Sequence, residues 1–220
     1  MTCHHPPPEL LLDYASGAAA EGAALVIASH VAWCPACREE VAKLEEVGGE
    51  LLLSVPEEPV GELLLQDTLA RLDAATPSQD AVRGFDQETR RLVPAPLRRY
   101  IGRNLGELDW RSAGGMFREA QIPLSCGHVR ASLMRLQPGC PVTPHTHVGN
   151  EFVLVLDGGY SDGDQRYGPG DFDVKFPGCA HHPVVDDPAG CFSLVVLDGP
   201  VRPLDGSDPS TDPLLDLLNR

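Results

Sequence analysis

Two groups of histidine, cysteine and carboxylate side chains carry the spacing of metal ligands. The clearer is His145-x-His147-x3-Glu151, framed by Gly139 before it and Gly158 after it. Imidazoles at i and i+2 of an extended segment lie on one side of it, because strand side chains alternate. A short turn through Gly149 and Asn150 returns a carboxylate to the same place. That makes three ligands for a divalent cation, one short of a tetrahedral set. The next segment supplies the fourth: Gly170-Asp171 opens an extended run, Phe172 to Phe176, ahead of Pro177, Gly178 and His181. His182 adjoins His181, but neighbouring strand residues face opposite ways, and the spacing favours His181.

The second group is His30-x3-Cys34-x2-Cys37. On a helix, residues four apart share a face, which joins His30 to Cys34. Pro35 suits the first turn of a new helix, so Cys34 falls at a break between two helices and Cys37 comes round to meet it. Thiolate and imidazole are the usual ligands of zinc, and a fourth closes a structural site. His5, ahead of the first helix, is the preferred fourth, with His4 and Cys3 as competitors. A thioredoxin-like redox pair is the rival meaning of CxxC, but it requires a βαβ setting, and the flanks here read as helix.

The elements that position the second group are helices over Leu10–Ala15, Glu21–Trp33, Arg38–Val47 (ending before Gly48-Gly49) and Val60–Leu72. Four helices make a domain too small for a large core of its own, so a metal staple is physically sensible. Ala74–Arg83 has linker composition. Leu97–Ile101 and Leu105–Trp110 have strand-like or edge character, with Gly102 and Gly106 as turns. Cys191–Leu197 is a compact apolar strand suited to closing a barrel. The tail from Pro203 is rich in Asp and Pro before Leu214, Leu215, Leu217 and Leu218, and reads as a short docking helix. Cys179, two residues before His181, and Cys191 read as buried, inert thiols, with a redox role as the alternative.

The chain has 220 residues and a formal net charge of −15, room for about two small domains. Residues 1–75 hold 13 acidic against 3 basic side chains, and the remainder 19 against 14. So acidic a region repels nucleic acid and suits a basic protein surface. Residues 83–118 run the other way, with eight arginines. Apolar runs such as Ala23–Ser29 are too short to span a bilayer, and no secretory signal pattern is present. Seven cysteines, an odd number partly placed beside histidines, favour reduced thiols and metal ligation over a disulfide framework. The expected compartment is the cytoplasm.

The framed H-x-H-x3-E resembles the first cupin motif, and the Gly170-to-His181 segment the second. Pro177 stands one place late, and Val185 stands where the family usually has Asn. The resemblance covers roughly residues 95–200 and implies a double-stranded β-helix of jelly-roll type, with His145, His147, Glu151 and His181 binding one metal. The N-terminal H-x3-C-x2-C, the upstream His, D-Y-A-S-G and V-G-G resemble the zinc-binding anti-sigma domain. Together they resemble the ChrR-type anti-sigma factors, which hold extracytoplasmic-function sigma factors inactive. The fold class implied is multidomain α + β: a small zinc-stapled helical domain (1–75), a linker (76–95), a cupin (96–203) and a tail (204–220).

The resemblance implies Zn2+ on His5, His30, Cys34 and Cys37, and Zn2+ or another divalent metal (Fe, Mn) in the cupin. It implies a sigma-factor partner with no direct nucleic-acid or membrane contact, no enzymatic role, and release of the sigma factor under oxidative stress such as singlet oxygen or peroxide. The alternative is a metal-dependent cupin enzyme, an oxygenase or isomerase, because a His3Glu site serves either purpose.

Overall fold

The N-terminal region folds as α1 (Pro8–Ala15), α2 (Glu21–Trp33), α3 (Pro35–Leu53) and α4 (Leu64–Ala74). The structure, a computed structural model, describes residues 4–61, 63–74, 84–113, 115–125 and 127–219. Cys3 and residues 76–83 of the expected linker therefore lie outside the described residues. α2 is apolar on nearly every side, and a helix of that kind must be covered all round. Leu25, Val26 and Ile27 are accordingly buried. Gly22 lets the start of α2 lie against the β-sheet: a Cβ there would come 2.7 Å from Val129 Cγ1 and 2.8 Å from Val196 Cγ1.

α3 does not stop at Gly48-Gly49 as expected but runs on to Leu53. Glycine costs a helix only about 1 kcal/mol each against alanine, which the intact hydrogen-bonded turns on either side absorb. α4 begins at Leu64, four residues later than its pattern suggests. Residues 84–95, expected as linker, carry α5 (Gln87–Leu92), capped by the Asp86 carboxylate accepting from Thr89 N at 2.7 Å. The expected extended segments at 97–101 and 105–110 are corrected as well. Ala95–Ile101 is α6, and Leu105–Glu107 is a 3-10 turn. Pro94 and Pro96 are helix-start residues, Leu97 and Ile101 are one helical turn apart and buried, and Gly102 ends the helix at φ 60°.

The strands are β1 (Arg111–Ala113), β2 (Phe117–Ile122), β3 (Arg130–Leu136), β4 (His145–His147), β5 (Glu151–Gly158), β6 (Tyr160–Asp162), β7 (Gln165–Tyr167), β8 (Phe172–Lys175), β9 (Ala180–His181), β10 (Pro183–Val184), β11 (Cys191–Leu197) and β12 (Val201–Pro203). They form an antiparallel sheet in the order β1-β2-β3-β11-β5-β8 and two smaller ones, β10-β6-β7 and β12-β4-β9. α7 (Pro213–Asn219) closes the chain.

The large sheet is covered on both faces, which accounts for the unbroken apolar runs of β5 and β11. Leu133, Leu154, Leu194 and Val196 join Val26, Ile27 and Leu97 in one core between sheet and helices. Met134, Val153, Val155 and Val195 point the other way, into the barrel, where Leu214, Leu215, Leu217 and Leu218 of α7 meet them. The helical region thus shares a core with the barrel. The small independent core expected from its length is not what forms, because α2 offers the sheet a second apolar face.

Candidate metal centres

The break between α2 and α3 is built from Cys34, which ends one helix and caps the other: its Sγ accepts from Cys37 N at 3.5 Å. Cys37 thereby faces back toward α2. His30 Nε2 lies 3.3 Å from Cys37 Sγ, and His5 Nδ1 lies 3.4 Å from both sulfurs. The four ligand atoms all fall within 4.8 Å of one another. A sulfur and a nitrogen at tetrahedral positions about zinc are separated by about 3.5 Å, so the cluster has the size of a zinc site. His4 points elsewhere: its Nε2 meets Gln165 Oε1 at 3.1 Å, and its ring lies 4.4 Å from that of Tyr167.

Burial lowers His30 to about 4 against its hydrogen bond to Gly170, leaving a neutral imidazole at neutral pH. Its Nδ1 sits 2.9 Å from the Gly170 carbonyl oxygen, so Nδ1–H donates there and Nε2 is free to coordinate. Burial, then the hydrogen bond to Cys34, pushes the Cys37 thiol up to about 12. A thiol so placed ionises at neutral pH only with a cation beside it.

In the barrel, β4 pairs with β9 so that His145 stands opposite His181. Glu151 opens β5. The framing glycines are conformational requirements: Gly139 has φ 71° and Gly158 φ 67°, and a Cβ at 158 would collide with the Gly190 carbonyl. His181 Nε2 lies 2.8 Å from His145 Nε2 and 2.9 Å from His147 Nε2. Glu151 Oε2 is 3.5 Å from His147 Nε2 and 3.7 Å from His181 Nε2. His182 is exposed and stands outside the cluster.

Two of the three imidazoles are oriented from behind. His145 Nδ1 donates to Thr143 O at 2.7 Å, and His181 Nδ1 donates to Asp162 Oδ2 at 2.9 Å. Asp162 is held in turn by Lys175 Nζ at 2.9 Å, and Lys175 also binds Asp173, the acceptor of the Tyr160 hydroxyl. Sequence reasoning missed this support. The only sign of it was charged residues inside otherwise apolar strands, which alternation alone assigns to the solvent face. Burial lowers His145 to about 4 and His147 to about 3, and it also lowers His181. Glu151 is pushed up to about 8 by burial, then by the Asp173 charge.

Beside His145, Glu151 and His181 lies a cavity of about 80 Å³ walled by apolar side chains, among them Met134, Val153 and Val195. Leu214 and Leu218 of α7 complete it. Cys191 lines it too, buried and with its thiol pushed up to about 12 by desolvation, as expected of an inert cysteine. Cys179, expected to be buried, is exposed, because it lies in the turn before β9.

Helices that carry a Cys2His2 cluster and dock on a barrel that carries a His3Glu cluster define a two-module protein. The match to known proteins is of the same extent. Residues 106–201 fit the ChrR cupin-like domain. The chain is 34% identical over 199 residues to the anti-sigma-E factor ChrR of Cereibacter sphaeroides, covering 90% of this chain and 91% of that one. It also superposes on the crystal structure of Rhodobacter sphaeroides SigE in complex with the anti-sigma ChrR. There the TM-score is 0.76 and the identity 33%, over 90% of this chain and all of the matched chain. The protein belongs to the ChrR anti-sigma factor family. Among the described residues no helix is long and apolar enough to cross a membrane.

Proposed function

We propose that this protein binds an extracytoplasmic-function sigma factor in the cytoplasm, holds it inactive, and releases it on oxidative stress. The end-to-end match to a protein named for that action carries the reading. The surface supports it. Beyond Leu44, α3 turns its apolar residues outward: Leu51 is 66% exposed, Leu52 73% and Leu53 82%. α4 has no buried residue, and Leu64, Leu65, Leu69 and Leu72 are all more than half exposed. An apolar arm of this size flanked by carboxylates fits a partner whose groove is apolar and whose rim is basic.

In this reading His5, His30, Cys34 and Cys37 hold Zn2+, which staples the segment before α1 to the α2–α3 break and so fixes where the arm begins. His145, His147, Glu151 and His181 hold a second divalent metal. The separations of 2.8 and 2.9 Å about His181 are close to those of right-angled ligands at roughly 2.1 Å, which are about 3.0 Å apart, so Fe or Mn fits as well as zinc. Such a metal supplies Lewis-acid or ligand-binding chemistry at the polar end of the cavity. The cavity gives a signal molecule somewhere to enter.

Release has a chemical route in the cysteines. A peroxide takes two electrons from the Cys34 and Cys37 thiols, is reduced to alcohol and water, and leaves a disulfide in place of two ligands. The testing experiment mixes the full chain with an extracytoplasmic-function sigma factor from the same genome, with and without a strong chelator. Tight binding that chelation abolishes supports the reading. Absence of binding by the folded, metal-loaded chain to each such sigma factor overturns it and brings forward the cupin enzyme.

A further inference from the structure

The two candidate metal centres lean on the same short strand. At one end, the Gly170 carbonyl accepts from His30 Nδ1 at 2.9 Å, and the Phe172 ring stands edge-on to the His30 imidazole at 5.9 Å. Here too the segment carrying His5 is tied down: Phe172 N donates to His4 O at 3.1 Å, and His4 N donates to Asp171 Oδ1 at 3.2 Å. At the other end, Lys175 pairs directly across the sheet with Glu151. Its ammonium, which also pairs with Asp173, holds the Asp162 carboxylate that orients His181. Gly170, at φ 89°, lies in the turn that leads into β8, and the extended part from Phe172 to Lys175 spans roughly 10 Å. An extended strand fixed at both ends transmits a displacement along its axis, because its length cannot change.

We propose that β8 and the Gly170 turn that leads into it couple the two sites, so that metal in the barrel strengthens metal binding by His5, His30, Cys34 and Cys37, and the reverse. With the barrel loaded, Glu151 and His181 are fixed by coordination. Lys175 is then fixed through Asp162 and through the β5–β8 pairing, and the Gly170 carbonyl is held where His30 needs it. With the barrel empty, Glu151 and His181 lose the coordination that fixes them, and Lys175 and the hydrogen bond orienting His30 are held by the β5–β8 pairing and the Asp162 and Asp173 ion pairs alone, a looser restraint. Orienting contacts of this kind change metal affinity by about 10–100-fold. This rests on both clusters holding metal. It gives the cupin a physical path to the arm that the proposed function requires.

The test uses the full chain and cobalt(II), whose thiolate charge-transfer absorption reports the cysteine site and not the barrel, which has no sulfur ligand. Metal analysis comes first. Two cobalt ions per chain support the two-site reading, and failure of either site to bind overturns that reading and the coupling together. Glu151→Gln, with His147→Gln added if one change does not empty the barrel, is expected to lower cobalt affinity at the thiolate site by about tenfold. By linkage, Cys34→Ala/Cys37→Ala lowers barrel affinity by the same factor. Lys175→Met, or Asp162→Asn should the first not fold, cuts the path while leaving all ligands in place. It is expected to weaken the thiolate site similarly, and combining it with Glu151→Gln adds nothing further. Coupling is overturned if both sites bind but emptying the barrel leaves thiolate-site affinity within about twofold, or if the two losses add in the combined variant, as independent local damage would.

Discussion

The two metal clusters differ in what surrounds them. At the α2–α3 break the ligands come from a chain segment and two helices, and beyond the ligand atoms there is packing on every side but the His5 edge. In the barrel they come from β4, β5 and β9, and one side opens on a cavity. A closed Cys2His2 set has nothing to offer but structure and oxidisable sulfur, whereas a His3Glu set beside a cavity has room for a further ligand. The first therefore offers a signal oxidisable sulfur, and the second offers it an open position beside the cavity. Each can be attacked separately.

The largest effect is expected from Cys34→Ala/Cys37→Ala. Structural zinc contributes on the order of 10 kcal/mol to small domains, so sigma binding measured by calorimetry falls by more than about a hundredfold and helical circular dichroism drops. Loss of a barrel group, His147→Ala, weakens sigma binding by less than about tenfold, and it removes release by oxidant when the signal enters at the barrel but not when it enters at the Cys34 and Cys37 sulfurs. If oxidant still releases the sigma factor from that variant, the barrel is not the signal site. Leu52→Ser/Leu65→Ser lies outside both clusters, on surface that is 73% and 68% exposed. It should cost sigma affinity about tenfold or more while the melting temperature of the free protein stays put.

The smallest effect is a pH slope. Glu151 is held up to about 8 in the metal-free barrel, so coordination at neutral pH releases its proton. Affinity for a barrel metal rises with pH up to about 8 and then levels, with about one proton released at pH 7. His145 and His147, at about 4 and about 3, are already neutral and add no slope above pH 5. Calorimetry in buffers of different ionisation enthalpy reads the proton directly. A flat profile between pH 6 and 8 removes Glu151 from the ligand set.

Much of this was legible before any coordinates. The i, i+2 histidines with their glycine frame, the H-x3-C-x2-C and the apolar run at 191–197 are local patterns, and local backbone geometry turns them directly into grouped ligands and a buried strand. The missed elements fail for an equally physical reason. Leu97 and Ile101 mark a single helical turn, too short for periodicity to separate it from a strand. Gly48-Gly49 looks like a stop only when the cost of glycine is taken without the turns beside it.

What the amino-acid order determined alone is the chemistry: which side chains are donors, and at what spacing along each element. Tertiary structure alone decided that His5 rather than His4 joins the first cluster, because Asp171 and Phe172 hold the backbone of His4 and β7 holds its ring through Gln165 and Tyr167. It also decided that α2 is buried against the sheet while α4, no less rich in leucine, is left bare. And it decided that Lys175, five residues along the chain from Gly170, stands behind a ligand of the other site. Such facts depend on which distant segments fold against one another, and no local pattern encodes that.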